Sequence, residues 1–316
     1  MNYQGGIIEE FRNAFKKQNN ALIQIILINV GVFVILNTLG VVLWLAGFSE
    51  LGAVGCGYGS SDIFCKITLF LQLPSDPLRF ITHPWTIVTY FFTHIGFFHI
   101  LFNMLFLYWF GKLIQEFIGD EKVIALYVLG GLMGGLAYIL LYNALPQFSE
   151  LAGSSHMLGA SAGVFAVVVG AATFMPNYTI YLLLFGPVKI KYIAIVYVLL
   201  SFFNVPGDNA GGSIAHLGGA AIGFVYIKQL QKGNNLGGWV LSFISFVKSF
   251  FIRQSKIKVS YSSTKKSPPR PPKAESTSRS TPDQKEIDAI LDKISNSGYE
   301  SLSKDEKQKL FNASKK

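Results

Sequence analysis

A single serine stands between two glycines in the segment Gly159-Ala160-Ser161-Ala162-Gly163, at the start of an apolar run that extends to Met175. A serine hydroxyl becomes a nucleophile when a neighbouring imidazole accepts its proton. The chain has five histidines, which are His83, His94, His99, His156 and His216. These residue types predict serine–histidine chemistry if the fold brings them together. The alternative is structural, because small residues and serines are also common where membrane helices pack.

The spacing G-x-S-x-G marks, in soluble hydrolases, a serine on a tight turn between a strand and a helix. No strand pattern precedes Ser161, and the apolar run after it is typical of a membrane helix. The composition agrees with a membrane setting, because 51% of the residues are hydrophobic and 14% are charged, against roughly a quarter charged in ordinary globular domains. We therefore expect an all-α polytopic membrane protein.

The formal net charge of +9 could indicate a nucleic-acid partner, but the excess of basic residues lies outside the apolar part, mostly in residues 253–316. Retention of basic segments on the cytoplasmic side of a membrane explains this distribution without nucleic acid. The first twenty residues are polar and lack the order of a signal peptide. No pattern predicts a metal or a cofactor.

Hydropathy predicts six membrane spans. They cover residues 21–48, 85–110, 123–145, 158–175, 190–203 and 211–230. They form a membrane domain of residues 21–231 after a cytoplasmic N-terminal segment of residues 1–20. The fifth span could instead begin nearer Tyr178. A long first loop, residues 49–84, contains an amphipathic run at 64–73, and loops of this length are usually functional or disordered.

Lysine and arginine in the loops predict the orientation of the spans. They occur at the N-terminus, in the turns between spans two and three and between spans four and five, and in the C-terminal tail. The loops at 146–157 and 204–210 have none. Both termini are therefore expected in the cytoplasm, with the long first loop outside.

This orientation brings the candidate chemical groups to one depth. His94 and His99 fall in the outer half of span two, and Ser161 falls about one turn into span four. His216 lies about five residues into span six, roughly 7 Å deep at 1.5 Å per residue. Ionisable residues within membrane spans are costly and are functional candidates by default. Three histidines and a serine at matched depth favour a reactive site near the outer surface.

Small residues at intervals of four predict which spans touch. Gly159 and Gly163 recur on span four, and span six carries two such rows. One row on span six consists of Gly212, His216 and Ala220, and the other of Ala215, Gly219 and Gly223. Such faces let helix backbones approach closely, so spans four and six are predicted to pack and to bring Ser161 towards His216. No aspartate lies within a span as a third member, and Asp208 lies in a loop, which favours a Ser-His dyad.

Three segments carry a resemblance to a known family. They are His94-Ile95-Gly96-Phe97-Phe98-His99-Ile100-Leu101-Phe102-Asn103, Gly159-Ala160-Ser161-Ala162-Gly163 and Ala215-His216-Leu217-Gly218-Gly219-Ala220-Ala221-Ile222-Gly223. Their patterns, H-x4-H-x3-N, G-x-S-x-G and A-H-x2-G-x3-G, resemble those of the rhomboid family of intramembrane serine proteases. The resemblance covers roughly residues 80–228. It implies the six-transmembrane-helix rhomboid fold with a long membrane-dipping first loop.

The resemblance also implies a role for each site residue. Ser161 would be the nucleophile and His216 the general base. The oxyanion hole would consist of the His99 and Asn103 side chains and the backbone N–H of Ser161. The supporting residues would be His94, Gly159, Gly163 and Gly219.

Further expectations follow from the same resemblance. Span five and the loop 204–212 would gate and cap a hydrophilic cavity that opens to the outer side of a bacterial inner membrane. The expected partners are the lipid bilayer and single-span membrane-protein substrates with helix-breaking residues near the outer face.

Two features depart from the family pattern or add to it. The family usually has glutamate four residues after the glycine that ends the second helix, whereas here Gly111 is followed by Gln115. This substitution puts in doubt a structural contact at the cytoplasmic turn. Cys56 and Cys65 in the first loop could form a disulfide in an oxidising compartment or remain a free pair.

The C-terminal part divides into three predicted segments. Residues 237–253 fit an amphipathic interfacial helix, with a seventh span as the alternative. Residues 254–282, rich in Ser, Pro and Lys, are typical of a disordered linker. Residues 283–314 are predicted to form a small cytoplasmic helical hairpin, with a break at Gly298 and a capping box of Ser303 and Glu306. The hairpin resembles a segment appended to rhomboids of Bacteroidetes-type bacteria, and its docking to a cytoplasmic partner or to the membrane domain is a hypothesis.

Three functions remain open at this point: an intramembrane serine protease, a catalytically silent rhomboid-like protein that binds membrane clients, and a six-span transporter or channel. Intact Ser161 and His216 argue against the second function. A channel predicts polar residues through the middle of the bilayer, whereas here they are confined to the outer part. The sequence favours an enzyme that hydrolyses peptide bonds in or near transmembrane helices.

Overall fold

A computed structural model of the chain describes residues 20–49, 61–182, 186–251 and 284–313. The chain divides into two compact units, residues 1–255 and 256–316. The predicted linker, nearly all of the predicted N-terminal segment, and Cys56 lie outside the described residues. The pairing of Cys56 with Cys65 therefore stays a prediction.

The first unit is mainly α-helical. Its described helices are α1 (Ala21–Leu45), α2 (Ile63–Leu71), α3 (Pro77–Thr82), α4 (Thr86–Thr89), α5 (Phe97–Ile118), α6 (Asp120–Ala144), α7 (Ser161–Phe174), α8 (Ile190–Phe203), α9 (Ala210–Gln231) and α10 (Gly238–Phe251). Two short antiparallel strand pairs join β1 (Leu73–Pro74) to β2 (His156–Met157) and β3 (Thr179–Leu182) to β4 (Gly186–Lys189). A helix is present at each of the six predicted span positions.

Four of the described helices, α1, α5, α6 and α9, are long and apolar enough to cross a membrane. Helices α7 and α8 have 14 residues each. At 1.5 Å per residue they extend about 21 Å, less than the hydrocarbon core of about 30 Å. The protein is an integral membrane protein with an all-α polytopic fold, as the composition predicted.

The predicted second span, residues 85–110, is wrong at both ends. The helix α5 begins only at Phe97, because the chain before it forms α4, a 3-10 turn (Tyr90–Phe92) and an extended segment at 93–96. Hydropathy does not distinguish an apolar helix from an apolar loop buried among helices. The consequence is that His94 lies on a loop and His99 in the first turn of α5.

The other end of α5 extends through the residues that were expected to form a polar turn. Lys112 and Glu116 lie on the helix as an i,i+4 ion pair with 3.8 Å between Nζ and Oε1. The helix ends at Gly119, which has φ 98°. Gln115 donates to Asp120 Oδ1 at 2.7 Å, and the Asp120 carboxylate in turn accepts the N–H of Ala21 at the start of α1. The glutamine thus takes part in a contact at this turn.

Two further predicted boundaries change. Helix α7 begins at Ser161 itself, so the serine occupies the first position of the helix and does not lie one turn inside it. In the segment considered as an early start of span five, residues 179–182 and 186–189 pair as the antiparallel strands β3 and β4 instead. Span five begins at Ile190 and ends at Phe203 as predicted.

Helices α6, α7 and α9 form the centre of the membrane unit and meet around Ala162. A Cβ added at Gly134 of α6 would lie 2.5 Å from Ala162 Cβ and 2.7 Å from the Ala215 carbonyl oxygen. A Cβ added at Gly130 would lie 2.9 Å from the Ala162 oxygen. From α9, Gly219 approaches the same peptide so closely that its added Cβ would overlap the Ala162 carbonyl. Three backbones therefore touch at the residue that follows Ser161.

The predicted contact between spans four and six is present, but span four contributes different residues to it. Gly219 and Gly223 of α9 face Ala162 and Ala166 of α7. Gly163 faces α6 instead, where an added Cβ would lie 2.7 Å from the Tyr127 carbonyl oxygen. Four-residue spacing identifies a row of small residues on one helix, but it does not show which of the two neighbouring helices packs against that row.

A 14-residue helix, α10, follows the membrane helices. Val240 is buried, whereas most of the phenylalanines on the helix are exposed, among them Phe243, Phe246 and Phe250. The location of this helix at a membrane interface stays a prediction.

The second unit contains two helices, α11 (Gln284–Ser297) and α12 (Lys304–Ala313), joined through Gly298 and a 3-10 turn. The capping box is formed: the Ser303 N–H donates to Glu306 Oε2 at 2.7 Å, and the Glu306 N–H donates to Ser303 Oγ at 3.3 Å. Lys293 of α11 pairs with the same carboxylate at 3.0 Å. Glu306 therefore joins the cap of one helix to the side of the other.

Replacement of Gly219 by alanine should lower the free energy of unfolding by about 3 kcal/mol, because the methyl group would overpack the junction against backbone. Thermal unfolding in detergent measures the effect. Gly31→Ala on α1 is the matched control, since nothing lies within 4 Å of its added Cβ, and its midpoint should not fall. An unchanged midpoint for Gly219→Ala would contradict the close approach at Ala162.

Stability of the C-terminal hairpin should depend on the ionisation of Glu306. Hydrogen bonds from the Ser303 backbone and then from Lys293 lower the pKa of Glu306 from 4.5 to about 2. Because the folded pKa is depressed, the stabilisation is complete above pH 4.5 and is lost as the pH falls towards 2. Amide hydrogen exchange of α12 in the full chain, corrected for intrinsic rates, should accelerate in this interval.

The matched control for this pH dependence is Asp305→Ala, which removes a carboxylate from the same helical turn without removing the capping box. Its exchange should retain the pH dependence of the wild type. Glu306→Ala should exchange fast throughout the interval. Equal exchange profiles for the two variants would contradict the assignment.

Candidate active site

One cavity of about 590 Å³ lies at the end of the bundle where α5, α7 and α9 begin. Four predicted site residues line it, namely His99, Asn103, Ser161 and His216. Further lining residues come from the surrounding loops and helices, among them Ser155, His156, Tyr197, Asp208, Asn209 and Gly212. With Tyr142 of α6, polar groups from five separate helices thus share one space.

The segment that precedes Ser161 is held by three hydrogen-bonded contacts with the first loop and its continuation. Strand β2 pairs with β1 of the first loop. The Gly159 N–H donates to the Tyr90 carbonyl at 2.9 Å. The Ala160 N–H donates to His94 Nε2 at 3.1 Å. The chain is therefore fixed up to the residue before the serine.

His94 does not line the cavity and is fully buried. Since its Nε2 accepts a hydrogen bond from the Ala160 N–H, that nitrogen carries no proton in this arrangement. Its ring meets the His99 ring edge-on, with centroids 5.1 Å apart. The contacts of His94 are those of a residue that positions the loop before Ser161.

Ser161 occupies the first position of α7 and is half-buried. The first N–H groups of a helix have no acceptor within the helix, and the helix dipole adds partial positive charge there. The Ser161 backbone N–H therefore belongs to a helix end that favours an anion. Within the described residues the Ser161 hydroxyl makes no hydrogen bond, and none joins it to His216.

His99 and Asn103 stand one helical turn apart on α5. Asn103 is 5% exposed and donates one amide hydrogen to the His99 carbonyl at 2.8 Å, which leaves its second amide hydrogen for another acceptor. Gly159 packs against the His99 ring: an added Cβ would lie 2.8 Å from Nε2, and φ is +116°. Only glycine suits this position, because both the space and the backbone angle exclude a side chain.

The His216 imidazole is held by two contacts that spacing did not predict. Its ring stacks on Phe165 of α7, with centroids 4.3 Å apart and 9° between the planes. Its Nδ1 lies 3.0 Å from Ser201 Oγ of α8. These contacts fix both the plane of the ring and its rotation within that plane.

Comparison with known proteins identifies the domain that carries this cavity. Residues 82–232 match the family model described as Rhomboid domain. The chain belongs to the rhomboid family. Residues 278–316 match a family described as one of unknown function (DUF6576).

Several curated proteins are similar to this rhomboid. RHOMBOID-like protein 12, mitochondrial, from Arabidopsis thaliana is 31% identical over 159 residues, which cover 47% of each chain. Rhomboid-like protein 17, chloroplastic, from the same plant is 28% identical over 162 residues, 47% of this chain and 50% of the relative. Rhomboid protease GlpG from Salmonella newport is 31% identical over 93 residues, 29% of this chain and 32% of the relative. The chain spans about half the length, or less, of these relatives.

The rhomboid motifs and the cavity agree in part. The four residues expected to react or to bind the oxyanion line the cavity. The predicted supporting residues His94, Gly159, Gly163 and Gly219 do not line it and make packing or hydrogen-bond contacts instead. Sequence reasoning missed Phe165 and Ser201. Phe165 lies four residues after Ser161, one helical turn further along α7, and this spacing could have indicated it. Nothing in the sequence distinguishes Ser201 from other serines in apolar helices.

Replacement of His94 by leucine should lower the free energy of unfolding by about 1–3 kcal/mol, because the buried Ala160 N–H would lose its acceptor. Thermal unfolding in detergent measures the loss. His94→Gln is the matched variant, since its side-chain oxygen can accept the same hydrogen bond, and it should recover part of the stability. Equal midpoints for the two variants would show that the hydrogen bond to Ala160 is not what His94 contributes.

Proposed function

We propose that this rhomboid is an intramembrane serine endopeptidase, with Ser161 as nucleophile and His216 as general base. The observation that carries the proposal is the single cavity lined by Ser161, His216, His99 and Asn103. The proposed substrates are single-span membrane proteins whose helices can unwind near the mouth of the cavity.

The first step is attack by Ser161 Oγ on the carbonyl carbon of the scissile peptide bond. His216 Nε2 accepts the hydroxyl proton as the new C–O bond forms, because its other ring nitrogen is directed to Ser201. Catalytic hydrogen bonds are often long in the absence of substrate and tighten only in the complex. The unformed Ser161–His216 hydrogen bond is compatible with this step.

The second element is stabilisation of the negative charge that develops on the carbonyl oxygen. The free amide hydrogen of Asn103, the His99 ring and the Ser161 backbone N–H supply three donors near the start of α7. Each such donor is worth about 3–4 kcal/mol of activation barrier in a preorganised, water-poor site. The tetrahedral intermediate then collapses, the protonated His216 gives its proton to the leaving amine, and the acyl group stays on Ser161.

Hydrolysis of the acyl group needs water, which the cavity supplies from one end of the bundle. The cavity lies at the end where α5, α7 and α9 begin. Lys112 lies in the later part of α5, and Lys122 and Lys191 lie in the first turns of α6 and α8, which follow α5 and α7 in the chain. Basic residues favour the cytoplasmic side. The proposed orientation therefore opens the cavity to the outer side of the membrane and leaves both termini in the cytoplasm.

A second candidate function is the binding of membrane clients without cleavage. The curated relatives favour neither function alone, because one is named a rhomboid protease and the plant proteins are named rhomboid-like. The two functions differ in a single outcome, which is whether Ser161 is required for the appearance of a cut product.

Cleavage of a single-span substrate in proteoliposomes tests the proposal. Ser161→Ala and His216→Ala should abolish cleavage, since each removes a partner of the proton transfer. Asn103→Ala should lower kcat by about 10²–10³-fold, the usual effect of losing one oxyanion donor.

Ser155→Ala is the matched control, because Ser155 lines the same cavity without a proposed role in the reaction. It should cleave at the wild-type rate. Cleavage that survives in Ser161→Ala would overturn the protease mechanism. Substrate that binds to the wild type and is never cut would favour the client-binding function.

A further inference from the structure

The fifth membrane helix, α8, contacts the His216 imidazole directly through Ser201. The Ser201 Oγ lies 3.0 Å from His216 Nδ1. Ser201 is 7% exposed, so water competes little for its hydroxyl. Helices α8 and α9 pack against each other here, and the hydrogen bond crosses their interface.

The same helix holds the imidazole a second time through a stack of rings. Phe165 lies parallel to His216 and also parallel to Tyr197 of α8, with 3.9 Å between the Phe165 and Tyr197 centroids and 11° between their planes. Tyr197 precedes Ser201 by four residues, so the two side chains occupy one face of α8. This face of α8 therefore limits two motions of the imidazole. Tyr197 limits its tilt through the stacked Phe165 ring, and Ser201 limits its rotation within the ring plane.

The direction of the hydrogen bond between Ser201 Oγ and His216 Nδ1 depends on which tautomer the imidazole adopts. A serine hydroxyl can accept a hydrogen bond from Nδ1–H while it donates its own hydrogen elsewhere. With the proton on Nδ1, the neutral ring keeps its lone pair on Nε2, the nitrogen left for the cavity that Ser161 lines. A group that holds the proton on the far nitrogen of a histidine base is what aspartate provides in a catalytic triad. Among the described residues Asp208, although it lines the cavity, makes no hydrogen bond to His216.

We propose that Ser201 is a positioning residue for the general base: its hydroxyl oxygen accepts the Nδ1–H of His216 and so directs Nε2 towards Ser161. The inference rests on the proposed protease function and adds an uncharged third member to the dyad. Because a hydroxyl carries no charge, it orients the imidazole and solvates the imidazolium without adding a full negative charge to a membrane-buried site. The dyad predicted from the sequence is, on this view, incomplete without α8.

The test is a set of Ser201 variants assayed for cleavage of the single-span substrate in proteoliposomes. Ser201→Ala should lower kcat about tenfold to hundredfold with KM unchanged, since the lost hydrogen bond strengthens when the ring becomes charged. Ser201→Thr keeps the hydroxyl and should recover most of kcat. Its added methyl has room, because a cleft of about 500 Å³ adjoins Ser201. Ser201→Cys keeps the size but not the strong acceptor and should resemble Ser201→Ala.

Ser213→Ala is the matched control. Ser213 is a buried serine on α9 that lines the same cleft, and its hydroxyl oxygen accepts a hydrogen bond from Asn204 Nδ2 at 3.5 Å. It should leave kcat and KM at wild-type values. Thermal unfolding of every variant separates loss of positioning from loss of fold.

The outcomes are separable from those of the proposed function. Wild-type kcat in a folded Ser201→Ala overturns the inference and leaves the protease function standing. A loss of kcat that Ser201→Thr fails to recover also overturns the inference, because it indicates a structural role for Ser201. A change mainly in KM overturns it as well, because it indicates a role in substrate binding. An inactive wild type overturns the protease function and this inference with it.

Discussion

The structure depends on the contact of three helix backbones around Ala162. Glycines on α6 and α9 remove the side chains that would keep these helices apart, and the Ala162 peptide fills the space between them. In a bilayer, where lipid chains are as apolar as the helix surfaces, such packing supplies much of the force that holds helices together. Because Ala162 follows Ser161 directly, the contact that stabilises the bundle also sets the depth and direction of the serine.

Loop contacts and side-chain contacts hold Ser161 and His216 in place within the helix bundle. The strand pair β1–β2 and the hydrogen bonds from Gly159 and Ala160 hold the chain before Ser161 against the first loop and His94. On the opposite wall, Phe165 and Ser201 hold the His216 ring. The proposed nucleophile is thus fixed by backbone and the proposed base by side chains.

The sequence predicted the helices whose apolar runs are bounded by charge or turns, and it predicted that Ser161, His94, His99 and His216 lie at one depth. Of these, Ser161, His99 and His216 line one cavity. The sequence allowed these predictions because hydropathy records which segments leave water, and helical spacing records which residues share a face. It was wrong for residues 85–110, where the apolar chain before Phe97 forms α4, a 3-10 turn and an extended segment and does not continue the long helix. Hydropathy cannot show that a buried loop is held by tertiary hydrogen bonds such as that of His94. It was also wrong about the partner of Gly163, which packs against α6 and not against α9. A small residue allows close packing with any neighbouring helix, so its type does not identify the partner. Ser201 could not be found at all, since its role depends on a contact 15 residues away that only the packing of α8 on α9 creates.

The most direct test of this account is the site at which a fluorophosphonate reacts with the protein in membranes. The reagent forms a bond from a nucleophilic serine oxygen to phosphorus and releases fluoride, and peptide mapping by mass spectrometry locates the adduct. The account predicts an adduct on Ser161, none on Ser155 in the same cavity, and almost none on Ser161 when His216 is replaced by alanine. An unmodified Ser161 in the folded wild type, or an equally fast reaction in His216→Ala, would contradict it.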